Sequence, residues 1–177
     1  MQILIDNQGY IGFMEATVSR SIFHASGKFT FTASPQNQLI MGANSDNYPL
    51  QVQRQCTILV DNKPFLTGFS DNIIVKRSVD QFNIVMKGRD RTMDLIDSTL
   101  DAETVAEFTG NITLKEMAQK VISNLGISNV KVIDEVNPKK FNEGDLINFQ
   151  QGETAFDFLQ KYANKVNVLL TTDGKGT

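Results

Sequence analysis

In the first half of the chain apolar residues recur at every second position. Ile3 and Ile5 open the pattern, Met14, Ala16 and Val18 share one side of residues 14–21, and Phe29, Phe31 and Ala33 alternate with Lys28, Thr30 and Thr32. A period of two predicts strands with one wet face. Residues 50–60 predict a long strand, 61–64 a turn and 65–69 the return. Residues 73–76 and 81–87 flank a further turn at 77–80. The stretch 34–48, rich in Asn, Gln, Ser and Gly, predicts a long loop. Half a dozen or more antiparallel strands with short turns imply a small barrel or a strongly curled sheet.

The pattern changes within residues 79–100. Phe82, Ile84 and Met86 continue the strand period, Gly88 predicts a sharp turn, and Met93, Leu95 and Ile96 begin a short helical turn capped by Asp90 or Thr92. Beyond it the apolar period is that of a helix. Thr113 and Glu116 have the spacing of a capping box; Leu114, Met117, Ala118, Val121, Ile122 and Leu125 line one helix face, and Gly126 stands at the C′ position. Val130 and Val132 predict a short strand, 138–145 a loop and 146–149 another strand. A second helix begins near Glu153–Thr154, with Ala155, Phe158, Leu159, Tyr162, Ala163 and Val166 on one face. The two amphipathic faces most simply cover one short sheet. Residues 168–172 predict a strand entering a hairpin turn at 173–177. No second arm follows, so the expectation is a piece of a longer protein or a strand supplied by a neighbour. The expected fold class is α+β: an antiparallel β-barrel-like domain over 1–99, then a small α+β domain over 100–177, incomplete at its C-terminus, with two amphipathic helices on a short sheet.

Composition narrows the function classes. At 177 residues, 41% hydrophobic and 21% charged, the chain has the make-up of a globular protein of one or two domains. A formal net charge of -3 and a pI near 5.2 argue against a generic electrostatic grip on nucleic acid or an anionic membrane. The single cysteine, Cys56, excludes an internal disulfide and a cysteine-rich metal cluster; sharing a strand face with Val52 and Ile58, it is expected to be buried and inert. No apolar run approaches the length of a membrane span, and the N-terminus lacks the regions of a signal peptide. Membrane insertion is not expected, and folding in a cytoplasm is.

Candidate chemistry is sparse. His24, the one histidine, has no cysteine near it and no catalytic pattern around it, so it is expected on a surface or turn. Asp94, Asp97 and Asp101 can be drawn as an acid/base pair or a divalent-ion site. Their plainer reading is a solvated helix face with Arg91 paired to Asp94 at i,i+3. The glycines of 9–12 and 173–176 lack the context of a phosphate loop. No cofactor and no metal is expected. Arg89-Asp90-Arg91 either forms a local ion-pair network that locks the domain junction or reaches across to another subunit. With Asp94 and Asp97, these residues are the candidate subunit or domain interface.

Five segments in order carry a resemblance. They are Val18-Ser19-Arg20-Ser21 followed by Gly27-Lys28-Phe29, CTILVDNKPFLTGFSD (56–71), VMKGRDRTMDLIDS (85–98), the helical stretch 108–127, and 149–174 with its Q-x-G-E-T-x-F opening and L-L-x-T-x-D-G close. In this arrangement the chain resembles the baseplate hub proteins of Mu-like contractile phage tails. Nothing in 34–48 matches that family. The resemblance implies a non-enzymatic structural protein, a homotrimer whose barrel-like domains form a ring joining the tail tube protein to the central tail spike protein. It implies a virion tail baseplate location after assembly in the bacterial host cytoplasm, with no sequence-specific nucleic acid binding. Two other classes compete: a peptidoglycan-binding LysM-like module around 151–164, and a carboxylate-dependent hydrolase using Asp94 and Asp97.

Overall fold

Two tight hairpins begin the sheet, and both turn on an acid–amide pair. In the computed structural model, which describes all but residues 11–12, 35–50, 79–81, 107, 109–110, 129, 143–146 and 176–177, strand β1 (Gln2–Ile5) pairs with β2 (Gln8–Tyr10) around Asp6 and Asn7. These two sit at φ 47° and 67°, while Asp61 and Asn62 (φ 49° and 60°) likewise join β5 (Gln55–Val60) to β6 (Lys63–Arg77). Left-handed residues at both positions of a two-residue loop match the twist of the flanking strands, and Asp and Asn tolerate that conformation best after glycine. With β3 (Glu15–Ser19), β4 (Lys28–Ala33) and β7 (Phe82–Asp90), the strands form one antiparallel sheet in the order β2-β1-β5-β6-β7-β4-β3. The barrel-like expectation is met as a curled, half-barrel sheet whose end strands are β2 and β3.

Several strand boundaries differ from the expectation. The strand expected over 50–60 starts only at Gln55, because Gln53 (φ 62°) turns the chain around Ser70. Gln53 N–H donates to the Ser70 carbonyl at 2.6 Å, and the Ser70 hydroxyl donates to the Gln51 carbonyl at 2.6 Å. The runs 65–69 and 73–76 merge into the single strand β6, with Asp71 as the extra residue where the register against β7 shifts between Ser70 and Asn72. Met14 lies outside β3 and is exposed. Gly88 is not a turn: β7 runs through it, opposite Phe29 on β4 and Ser70 on β6. A Cβ there would stand 2.2 Å from Phe29 Cζ and 2.3 Å from the Phe69 carbonyl oxygen, so glycine is required by crowding rather than by bending. The loop expected at 34–48 lies, apart from Ser34, outside the described residues.

The described chain divides into two compact units. The first holds Met1–Ser21, Ser26–Arg91 and the segment from Asp173; the second holds Ile22–Ala25 and Thr92–Thr172. In the first, Ile3, Ile5, Phe29, Phe31, Cys56, Ile58, Leu66 and Met86 form the core on one sheet face. Cys56 is buried there as expected. Burial first, then the field of Asp6, pushes its thiol up to about 12 against the lowering bond with Ser70, which keeps it protonated.

The second unit is helical: α1 (Met93–Asp97), α2 (Ala102–Ala106), α3 (Leu114–Asn124) and α4 (Ala155–Lys165). Its core includes Phe108, Met117, Val121, Phe158, Leu159 and Tyr162. The capping box of α3 is present: Glu116 N–H donates to Thr113 Oγ1 at 3.1 Å, and Thr113 N–H donates to Glu116 Oε2 at 2.8 Å. At its other end Gly126 (φ 66°) donates to the Ser123 carbonyl and Ile127 to the Ile122 carbonyl, a Schellman closure. The short sheet expected beneath α3 and α4 is not formed: among the described residues, 130–133, 147–149 and 168–172 carry no strand ladder. Their side-chain burial still alternates, and Val130, Val132, Ile147, Phe149, Val168 and Leu170 pack on the helical core. Side chains stand in for ladder partners. The Tyr162 hydroxyl accepts from Asn148 N–H at 2.6 Å, and Lys161 Nζ donates to the Asn148 carbonyl at 2.8 Å. Among the described residues the fold is α+β, a seven-stranded sheet and four helices.

Gly88→Ala should lower unfolding free energy by about 1–3 kcal/mol through overpacking against Phe29 and the Phe69 carbonyl, measured by denaturant melts. Thr113→Ala should cost about 1 kcal/mol through loss of the α3 cap. The bonds from Thr113, backbone N–H first, hold the Glu116 carboxyl below the usual glutamate range. Its contribution is therefore in place above that range and is lost as pH falls through the depressed folded value. Melts of Thr113→Ala should accordingly show a weaker acid destabilisation than the parent.

Candidate functional site

The Arg89-Asp90-Arg91 segment ends β7, and its three side chains have different surroundings. Asp90 is fully buried. A carboxylate without water must be satisfied by donors, and here Ser26 Oγ donates to Oδ1 and Gly27 N–H to Oδ2, both at 2.8 Å. Asp90 N–H returns a bond to the Gly27 carbonyl at 3.1 Å. The residue therefore clamps the start of β4 to the end of β7.

Arg89 lies on the sheet opposite Lys28 and Phe69. Its Nε meets Asp71 Oδ2 at 2.7 Å, with both side chains about a quarter exposed (27%). Asp71 reaches it because it is the bulged residue of β6, and a bulge re-aims a side chain out of the regular alternation. Arg91 is half-buried, its Nε wholly so, and its N–H donates to the Thr67 carbonyl at 3.2 Å. Neither Asp71 nor Ser26 was singled out as a candidate. The signal for Asp71 was the end of the 56–71 motif; nothing local marks Ser26, sixty-four residues from Asp90.

The remaining carboxylates are dispersed over local roles. Asp94 is half-buried in the first turn of α1, and Asp97 is exposed at its last residue. Thr92, not Asp90, occupies the N-cap position of α1, but its hydroxyl donates to the Ala25 carbonyl instead of capping the helix. Asp101 receives the Thr104 N–H at 2.7 Å at the start of α2; bonds from Thr104, side chain before backbone, hold its carboxyl below the usual aspartate range. Among the described residues no three His, Cys, Asp or Glu side chains are grouped to hold a metal, and no helix is long and apolar enough to cross a membrane. His24 is exposed in a bend, as expected. Tyr162, in the helix of the LysM-like stretch, has its ring covered (1% exposed), which removes it as a sugar-stacking surface.

Asp90→Asn puts an amide N–H₂ against one of two donors and should cost about 1.5–3 kcal/mol in a denaturant melt. Ser26→Ala removes one bond only and should cost less.

Comparison with known proteins agrees with this layout. Residues 92–177 match the family described as "Baseplate hub protein gp44-like, second domain", whose first matched residue is also the first of the long run that makes up the second unit. The chain is 23% identical over 176 residues to the baseplate hub protein gp44 of Escherichia phage Mu, covering 97% of this chain and 42% of that protein. In fold it is similar to the 43 kDa tail protein of prophage MuSo2 from Shewanella oneidensis (TM-score 0.75, 24% identity, 99% of this chain and 52% of that one). It is likewise similar to the tail protein from Neisseria meningitidis MC58 (TM-score 0.72, 16% identity, 98% and 49%). The chain thus spans about half the length of the proteins it matches. Residues 92–177 thus match the gp44-like second domain of baseplate hub proteins, and the chain along nearly its whole length is similar to the baseplate hub protein of phage Mu.

Proposed function

We propose that this chain is part of a structural baseplate hub of a contractile phage tail, one copy in a trimeric ring that joins the tail tube to the central spike, assembled in the host cytoplasm and carried in the virion. The observation that carries the reading is the similarity to phage Mu gp44 over 97% of the chain, together with the gp44-like second domain. The sheet supplies a physical means. Its end strands β2 and β3 are different, so an edge of one copy meets an unlike edge of the next, which is the heterologous contact that a closed ring requires. A net charge of -3 suits a ring through which DNA passes without adhering.

Within this reading Arg89, Arg91, Asp94 and Asp97 are contacts to a neighbouring copy or unit, and Asp90 holds the strand end that presents them. No catalytic role is proposed for Asp94 or Asp97. Undiminished assembly together with loss of a hydrolytic activity in an Asp94→Asn, Asp97→Asn variant would reverse that assignment. Retention on peptidoglycan in a pull-down would favour the LysM-like alternative.

Native mass spectrometry of the full-length protein should show a trimer; a strict monomer at high concentration sinks the ring. Arg89→Glu with Arg91→Glu should abolish the oligomer, and a melt of the same variant reports how far the fold is loosened. Unchanged assembly and unchanged stability would remove these arginines from the interface.

A further inference from the structure

Beside the C-terminal turn of α4 lies an open cavity of about 520 Å³, lined by Lys139, Lys140, Phe141, Tyr162, Lys165 and Asn167 among others. Residues 92–172 contain twelve carboxylates, seven lysines and no arginine. An acidic unit thus gathers three of its seven ammonium groups at one cavity, with no carboxylate among the described residues that line it.

The other lysine of that helix shows the contrast. Lys161 is neutralised by Glu153 at 2.8 Å, whereas Lys165 Nζ lies 4.5 Å from the centroid of the Tyr162 ring in the last turn of α4. The ring face and the helix C-terminus both favour a cation, but neither supplies an opposite full charge. Lys140 has some field on Glu116, whose carboxylate is already taken by Thr113. Phe141 and Tyr162 are 5% and 1% exposed, so they form an apolar floor and offer no stacking face.

Separate ammonium point charges suit a tetrahedral anion with several terminal oxygens. Planar carboxylates are matched best by a guanidinium fork, which this unit lacks. We propose that this cavity binds a phosphate group, held by Lys139, Lys140 and Lys165 and bordered by the Asn167 amide, the phosphate being either a free phosphate ester or part of a nucleic acid backbone.

The test titrates pyrophosphate, citrate and a short single-stranded oligodeoxynucleotide into the protein at low salt, by calorimetry and by amide resonances around Asn167. Pyrophosphate should bind saturably and more tightly than citrate. Lys139→Gln with Lys165→Gln should weaken it on the order of tenfold or more, while Lys139→Arg with Lys165→Arg and the exposed control Lys115→Gln retain it. Tighter binding of the oligonucleotide than of pyrophosphate, lost in the same Gln variant, assigns the backbone as the source; weaker binding assigns the free ester. Citrate binding as tightly as pyrophosphate, equal loss in Lys115→Gln, or no saturable binding of pyrophosphate would overturn the proposal.

Discussion

The buried carboxylate of Asp90 is the constraint on which the first unit depends. Removing an ion from water costs several kcal/mol unless donors replace the lost hydration. Ser26 Oγ and Gly27 N–H supply two of them, and in doing so they pin the start of β4 beside the end of β7. The ladder between these strands, from Lys28 opposite Arg89 to Ala33 opposite Ile84, then has a fixed register. A slip of one residue would turn Phe29 and Phe31 out of the core and bring Lys28 and Thr30 in.

The same corner explains two glycines and an ion pair. Gly68 and Gly88 lie where β6 and β7 leave no room for a side chain: a Cβ on Gly68 would stand 1.8 Å from the Arg89 carbonyl oxygen and one on Gly88 2.3 Å from the Phe69 carbonyl oxygen. In the same stretch the register shifts and Asp71 is the bulged residue. Its carboxylate then holds Arg89. An exposed pair of this kind contributes little to stability, roughly a fraction of a kcal/mol, but it fixes where a guanidinium points.

The second unit reaches order by another route. Its two longer helices are closed at both ends by their own residues, Thr113 with Glu116 and Gly126 with Ile127 on α3, Thr154 with Asp157 and Asn167 with Val168 on α4. The segments between them are held by side chains, with Tyr162 and Lys161 both bonded to the Asn148 backbone. Two acidic residues serve such local tasks: Asp101 starts α2 and Glu153 neutralises Lys161.

Features with local causes were legible in the sequence. The alternation of Phe29 and Phe31, the capping box at Thr113, the face of α3 and α4 and the burial of Cys56 each follow from neighbours a few residues away, and the ordered motifs carried the resemblance to baseplate hub proteins. Features decided by groups distant along the chain were not. Gly88 reads locally as a turn, but Phe29 and the Phe69 carbonyl, met only in the sheet, make it a strand residue. Residues 130–133 and 168–172 have the period of strands, yet backbone pairing requires an edge brought alongside, and packing on the helical core satisfied their side chains instead. Asp90 looks like one charge in a polar knot until Ser26 and Gly27 arrive across the sheet. Periodicity is set by which face of a residue meets water, a property of the segment itself. Strand order, bulges and the partners of a buried charge are set by pairs of segments, and only the tertiary structure brings those pairs together.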